Sequence, residues 1–267
     1  MSLSSGCSTH SRRFHSPESL FPRVTMKFAA LLSLLFAAAV SAIPVDSLTA
    51  EAIATNTAAG LRLLRLGPDE LPQWYSEDAK LDLMRAEVRF MDVTETWLDE
   101  VAIEASGSVN RASALRVTFP APSHQSAVTT LTAKLSTTRM NSTLATLTAL
   151  NNRYYRATTG AQASTIIRDK IQSVITAASR TADASVALYT HSWTQSSIIA
   201  KVKGATNNTA PTVILGSHMD SINLSSPTSG RAPGADDDGS GTVNVIEIFQ
   251  VLIENGWKPA TPVEFHW

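Results

Sequence analysis

The 267-residue sequence holds a single cysteine, Cys7, so no disulfide within the chain can staple it; alone, that scarcity points to a reducing compartment. Charge of one sign is lacking too. Lys and Arg (22) nearly cancel Asp and Glu (23), and no basic stripe interleaved with aromatics occurs, which excludes nucleic acid as an expected partner. No apolar run reaches the roughly 20 residues that span a bilayer, so no membrane association is expected. Apolar residues themselves are not scarce: at 43% hydrophobic and 17% charged, the chain has material for one sizeable core, which excludes global disorder.

The N-terminal region reverses the inference from cysteine. Met26 and Lys27 open the apolar run 28–40 (FAALLSLLFAAAV), and the small residues Ser41 and Ala42 follow. A positive flank, a short apolar stretch and a V-S-A ending read as a secretory signal over 26–42, cleaved after Ala42, and place the protein outside the cell. A buried core helix is the blander reading. Residues 1–25, rich in Ser, Arg, His and Pro, read as an upstream extension with Met26 as the initiator, in which case the mature protein has no Cys7. Sequons at Asn141, Asn207 and Asn223 agree with secretion, although so short a pattern arises often by chance.

Next comes a charged, helix-prone stretch. Its position after the signal suggests a pro-segment over 43–112; the alternative is that it forms the first helix and strand of the main domain. The Ser- and Gly-containing passage 104–113 sets the boundary, and 113–267 follow as the main domain. Helices are expected at 124–135 and 140–150, with an ordered loop at 151–160 (NNRYYRATTG). Ile166, Ile167, Ile171, Val174 and Ile175 recur at three-to-four-residue spacing and predict a longer helix packed on a sheet. Strands are expected at 186–190, 196–202 and 212–215, the last two joined through 204–211 by a hairpin or short loop. A helix over 240–254, apolar at Val245, Ile246, Phe249, Leu252 and Ile253 and capped by Asn255-Gly256, precedes a strand at 262–267. Strands alternating with helices indicate an α/β sandwich.

The chemistry concentrates in 216–241, where an apolar strand delivers GSHMDS and a later loop delivers PGADDDGSG. Ligands of open α/β sheets collect at the carboxyl edge of the strands, where His218 and Asp220 fall. Imidazole and carboxylate are zinc ligands, and Asp220, two residues on, faces the same side and can accept the second ring N–H of His218. Asp236, Asp237 and Asp238 repel one another unless a counter-charge, most directly a divalent cation, sits among them. Taken singly, His218 reads as a hydrogen-bonded core histidine and the triplet as a solvated turn, with Asp238 serving the start of the next helix. The ordered combination of strand, H-x-D, Gly-bounded acidic loop and helix indicates a metal site.

GSHMDS followed by APGADDDGSG resembles the metal-binding core of the M28 family of co-catalytic zinc aminopeptidases, which includes secreted fungal leucine aminopeptidases. Further likeness lies in NRYYR (152–156), HSWTQSSIIAKVKG (191–204), RFMDVTET (89–96) and VEFHW (263–267), so the resemblance covers nearly everything after Ala42. It implies a three-layer α/β/α sandwich with a mixed sheet of the zinc-exopeptidase kind, incomplete at the C-terminus, with 113–267 the N-terminal part of the peptidase domain. It implies two Zn2+ per complete site, His218 as a terminal ligand of one ion, Asp237 as the bridging carboxylate, and Asp220 as the group that orients His218. It also implies a bridging water that attacks the peptide carbonyl, with a neighbouring Glu as general base. Substrates would be peptides or proteins with a free N-terminal, leucine-like residue, handled by a monomer.

The sequence ends at Trp267, before the Tyr-Ala-Gly-Glu-Glu stretch that comes after the strand resembling VEFHW in the family. A catalytic zinc takes about three protein ligands. The chain as written is therefore expected to bind zinc weakly and to lack peptidase activity. A glutaminyl cyclase-like relative and a non-enzymatic fragment are the competing readings; DDDGSG favours the aminopeptidase.

Overall fold

The computed structural model describes residues 48–107, 121–205 and 211–267. The expected extension and signal (1–42), Cys7, the later part of the 104–113 boundary, most of the 204–211 connection and Asn207 lie outside those residues.

The first part of the chain forms a small sheet bracketed by helices: α1 (Ala50–Ala58), β1 (Arg62–Arg65), β2 (Gln73–Tyr75), α2 (Glu77–Arg85), β3 (Met91–Asp92) and α3 (Trp97–Ala105). The sheet order is β2-β1-β3, all antiparallel. Polar residues punctuate it where the orphan amides of helix starts need acceptors: the Thr49 hydroxyl accepts from the Ala52 amide at 3.2 Å and the Ser76 hydroxyl from the Ala79 amide at 3.2 Å. Leu63 and Leu64 of β1 are buried, together with Val93 just beyond β3.

The second part runs α4 (Gln125–Thr132), α5 (Thr137–Ala149), α6 (Thr158–Ala177), β4 (Ala184–Tyr189), β5 (Ser197–Val202), β6 (Val213–Gly216), a π-type turn (Ala235–Ser240), α7 (Gly241–Glu254) and β7 (Val263–His266). Its four-stranded sheet is mixed, in the order β4-β5-β7-β6: β4 with β5 and β5 with β7 are antiparallel, β6 with β7 parallel. Of the hairpin or short loop expected between β5 and β6, the hairpin does not form. The two strands are not neighbours, because β7, the last strand in sequence, inserts between them and pairs with both.

Period explains the core. In α6, Ile167, Ile171, Val174 and Ile175 are buried, and in α7 so are Val243, Ile246, Phe249 and Ile253; both stripes cover Ile198, Ala200, Val263 and Phe265 of the sheet. Phe249 of α7 meets Phe265 of β7 edge-on, centroids 5.1 Å apart, the arrangement aromatic quadrupoles favour. These two helices form one layer on one face of the sheet. On the other face, among the described residues, Tyr189 and Ile214 are exposed.

Helix α7 ends as its sequence indicates. Gly256 takes φ +67°, its amide donates to Ile253 O, and the Trp257 amide donates back to Leu252 O, the paired bonds of a Schellman cap. No helix among the described residues is long and apolar enough to cross a membrane.

Candidate metal centre

Strand β6 stops at Gly216, and the chain turns over the carboxyl edge of the sheet through Ser217, His218, Met219 and Asp220. Two bonds fix the height of this turn. The Ser217 amide donates to His266 O of β7 at 3.1 Å, and the buried Thr242 hydroxyl, in the first turn of α7, donates to His218 O at 3.0 Å. The imidazole is thereby held at the rim, half exposed, and not within the core.

The ring stands between two carboxylates. Asp220 Oδ1 lies 3.2 Å from Nδ1, and Asp237 Oδ1 lies 2.9 Å from Nε2. The expected pairing of His218 with Asp220 is present although both residues lie past the end of β6. A loop conformation, not strand alternation, brings them to one side.

Asp237 arrives from the π-type turn. Gly234 opens it in the left-handed region at φ +50°, where a side chain would also strike Ser221 Cβ and the Asp237 carbonyl. Asp237 itself is extended (φ −109°, ψ 103°), and the peptide bond to Asp238 is cis. The three acids then diverge. Asp237 points at His218, and Asp238 turns back so that its Oδ1 accepts the Gly241 amide at 2.9 Å, serving the start of α7 as expected.

Sequence patterns gave no role to the residue beneath both loops. Arg153, wholly buried in the loop before α6, donates from Nε to Met219 O (2.6 Å), from Nη1 to Pro233 O and from Nη2 to Gly234 O (2.8 Å). Burial pulls the affinity of this guanidinium for its proton below the ordinary arginine value, and the nearby charges of Asp220 and Asp238 act the other way. Ser221 completes the joint: its hydroxyl accepts the Arg153 amide at 3.0 Å and donates to Ala232 O at 2.7 Å.

A cavity of about 410 Å³ opens beside the ring; its lining includes Ser217, His218 and Asp220 together with Glu77, Leu81 and Met84 of α2. Helix α2 is clamped there. The Glu77 carboxylate receives hydrogen bonds from the hydroxyls of Tyr154 and Tyr155, sits 2.8 Å from Lys80 Nζ, and has Arg156 4.0 Å away; Arg85 donates twice to Leu224 O. Burial alone would push the Glu77 carboxyl up, but the bonds from Lys80, Tyr154 and Tyr155 and the charge of Lys80 bring it below its ordinary value. Both tyrosines, buried against that carboxylate, are shifted well upward.

A depressed carboxyl stabilises the clamp above its ordinary range, near pH 4, and that contribution is lost as pH falls through the lower, folded value. Glu77→Gln is expected to weaken the clamp at neutral pH by about 1.5 kcal/mol, roughly tenfold in the local opening equilibrium. Hydrogen exchange of the α2 amides reads this directly; exchange equal to that of the parent would show that the carboxylate does not hold the helix.

The donor set fits a zinc-type cation. An imidazole nitrogen and a carboxylate oxygen face each other at the rim, and Asp237 has no other polar partner among the described residues, while the second ring nitrogen is occupied by a carboxylate, as at zinc sites generally. Among the described residues no group of three or more His, Cys, Asp and Glu side chains is gathered as a complete metal site.

Fold and site together define an α/β protein with a His–carboxylate pair at the carboxyl edge of a mixed sheet. Residues 197–267, the stretch that carries His218, Asp220 and Asp237, match Peptidase family M28. It is 38% identical over 250 residues to leucine aminopeptidase 1 of Blastomyces gilchristii, covering 91% of this chain and 62% of that protein. With leucine aminopeptidase 1 of Trichoderma harzianum it shares 40% identity over 211 residues, 77% of this chain and 50% of that one. The chain thus spans less than two thirds of the length of these relatives. Among solved structures, the LapA aminopeptidase of Legionella pneumophila shares the fold, with a TM-score of 0.58 and 19% identity over 80% of this chain and 60% of that one.

Proposed function

We propose that the protein is a secreted, zinc-dependent aminopeptidase that removes apolar, leucine-like residues from the free N-terminus of peptides, acting as a monomer with two zinc ions in its complete site. The observation that carries this reading is the ring of His218 held between Asp220 and Asp237. His218 Nε2 and Asp237 would hold the metal, the latter shared between two ions, and Asp220 would fix the tautomer of His218. Bound zinc supplies Lewis acidity, polarising a peptide carbonyl and lowering the pKa of water towards about 7. The protein's own part is to keep the two donors together at a rim that substrate can reach.

Residues 26–42 then serve as the secretory signal and 43–112 as a pro-segment. In support, α2 lines the same cavity as His218 and is fastened by contacts that a cleaved segment could release. Glycosylation would accompany secretion. Asn141 is exposed on α5, whereas the Asn223 amide is engaged in a turn with Ser225, Ser226 and Arg231.

The test is hydrolysis of leucine p-nitroanilide by the full-length protein, meaning one whose site is complete; residues 1–267 alone are proposed to bind zinc weakly and to show no such activity. Chelation is expected to remove at least about nine tenths of the rate, and stoichiometric zinc to restore it, as a Lewis-acid role of several kcal/mol requires. A rate indifferent to chelator, in protein shown to be metal-free, would rule out this mechanism.

A further inference from the structure

The two donors of the candidate centre reach it on separate loops, 217–222 and 233–238, with no strand pairing between them. Each loop carries backbone carbonyls below the rim, and these converge on one side chain. Arg153 Nε takes Met219 O, which lies between His218 and Asp220; Nη1 and Nη2 take Pro233 O and Gly234 O, which open the turn that delivers Asp237. Arg153 is itself immobilised from behind. Its carbonyl accepts from Gln195 Nε2 at 3.1 Å and its amide donates to Ser221 Oγ, while its neighbour Asn152 donates to Thr228 O and Gly230 O.

A wholly buried guanidinium without a carboxylate in hydrogen-bond contact is a costly choice for packing alone. Its planar fork is suited to something else: it can hold several acceptors at fixed directions at once, which an ammonium or an amide cannot. Space around it leaves little freedom. A Cβ on Gly234 would come within 2.9 Å of Nη2, so the glycine that opens the acidic turn is also the one that lets the guanidinium reach its carbonyl.

We propose that Arg153 is a positioning residue for the metal site: its guanidinium, by binding carbonyls of both loops, sets the separation of the His218 imidazole from the Asp237 carboxylate. This rests on the reading of those two side chains as metal ligands. Arg153 touches neither metal nor substrate and acts through the loop backbones.

The experiment measures zinc binding by calorimetry, and the visible absorption of Co2+ bound in place of zinc, for the full-length protein and its Arg153→Lys and Arg153→Ala variants. Zinc affinity is expected to fall between tenfold and a hundredfold, the range found when groups behind metal ligands are removed. The Co2+ bands should shift, and added guanidinium ion should restore both readouts in Arg153→Ala. Arg139→Met, which lowers stability through an ion pair that touches neither loop, is the control and should leave zinc affinity within twofold. If Arg153→Ala does not fold, Arg153→Lys decides. A folded Arg153→Lys that binds zinc as tightly as the parent, with unaltered Co2+ bands, overturns the proposal. Failure of the unaltered protein to bind either metal would instead overturn the metal-site reading beneath it.

Discussion

His218→Ala is expected to abolish zinc binding at its site in the full-length protein and to lower aminopeptidase turnover by about a thousandfold or more. The magnitude follows from the several kcal/mol that a Lewis acid contributes, since about 4 kcal/mol corresponds to three decades in rate. Asp220→Asn should be milder. It keeps the shape of the group beside Nδ1 but withdraws the charge that favours the correct tautomer, so zinc affinity should drop tenfold to a hundredfold with the ligand itself intact. Calorimetric titration with zinc orders the three proteins. Equal affinity in the parent and His218→Ala would show that the imidazole at the sheet edge is not a ligand.

Loss of the Arg139–Glu247 pair is the second large effect. Glu247 lies on α7 with only 3% of its side chain exposed, and it is held by Arg139 of α5 through Nε (3.0 Å) and Nη2 and by the Ser136 amide at 2.7 Å. Removing one partner of such a pair strands a buried charge, which costs about 3–5 kcal/mol when both ends are dry. Arg139 is a third exposed, so water reaches the gap and the lower figure applies. Arg139→Met should therefore destabilise by about 3 kcal/mol, a fall in Tm of roughly 6–12 °C for a domain of this size. The double variant Arg139→Met/Glu247→Leu should recover most of that, because no charge is then left without its partner. A thermal melt of Arg139→Met that coincides with the parent would mean the pair contributes nothing.

Much of this arrangement was legible in the sequence because it depends on short-range pattern. The stripes of α6 and α7 follow from apolar spacing and the Schellman cap from Asn255-Gly256, whereas His218 meets Asp220 through a loop conformation that strand alternation did not foresee. The features that escaped depend on partners far apart in the chain. The turn-rich connection after β5 suggested a hairpin, yet β7, some 60 residues later, offered Phe265 and Val263 as better cross-strand neighbours and took the central position. Arg153 sat in a stretch with no periodicity, and arginine is ordinarily a surface residue, so nothing local marked it as buried. Glu77 likewise lies in a charged, helix-prone stretch with nothing local to single it out. Its clamp exists only because Tyr154 and Tyr155 arrive from across the fold.

The indole nitrogen of Trp267 donates to Thr242 O at 3.2 Å, while the hydroxyl of the same threonine holds the His218 carbonyl. One residue in the opening turn of α7 thus acts as a strut between two neighbouring strands, tying the loop that leaves β6 to the residue that follows β7. How far the imidazole stands above the sheet is consequently decided by a helix lying alongside it. A change at Trp267 would be felt at His218 without any contact between their rings.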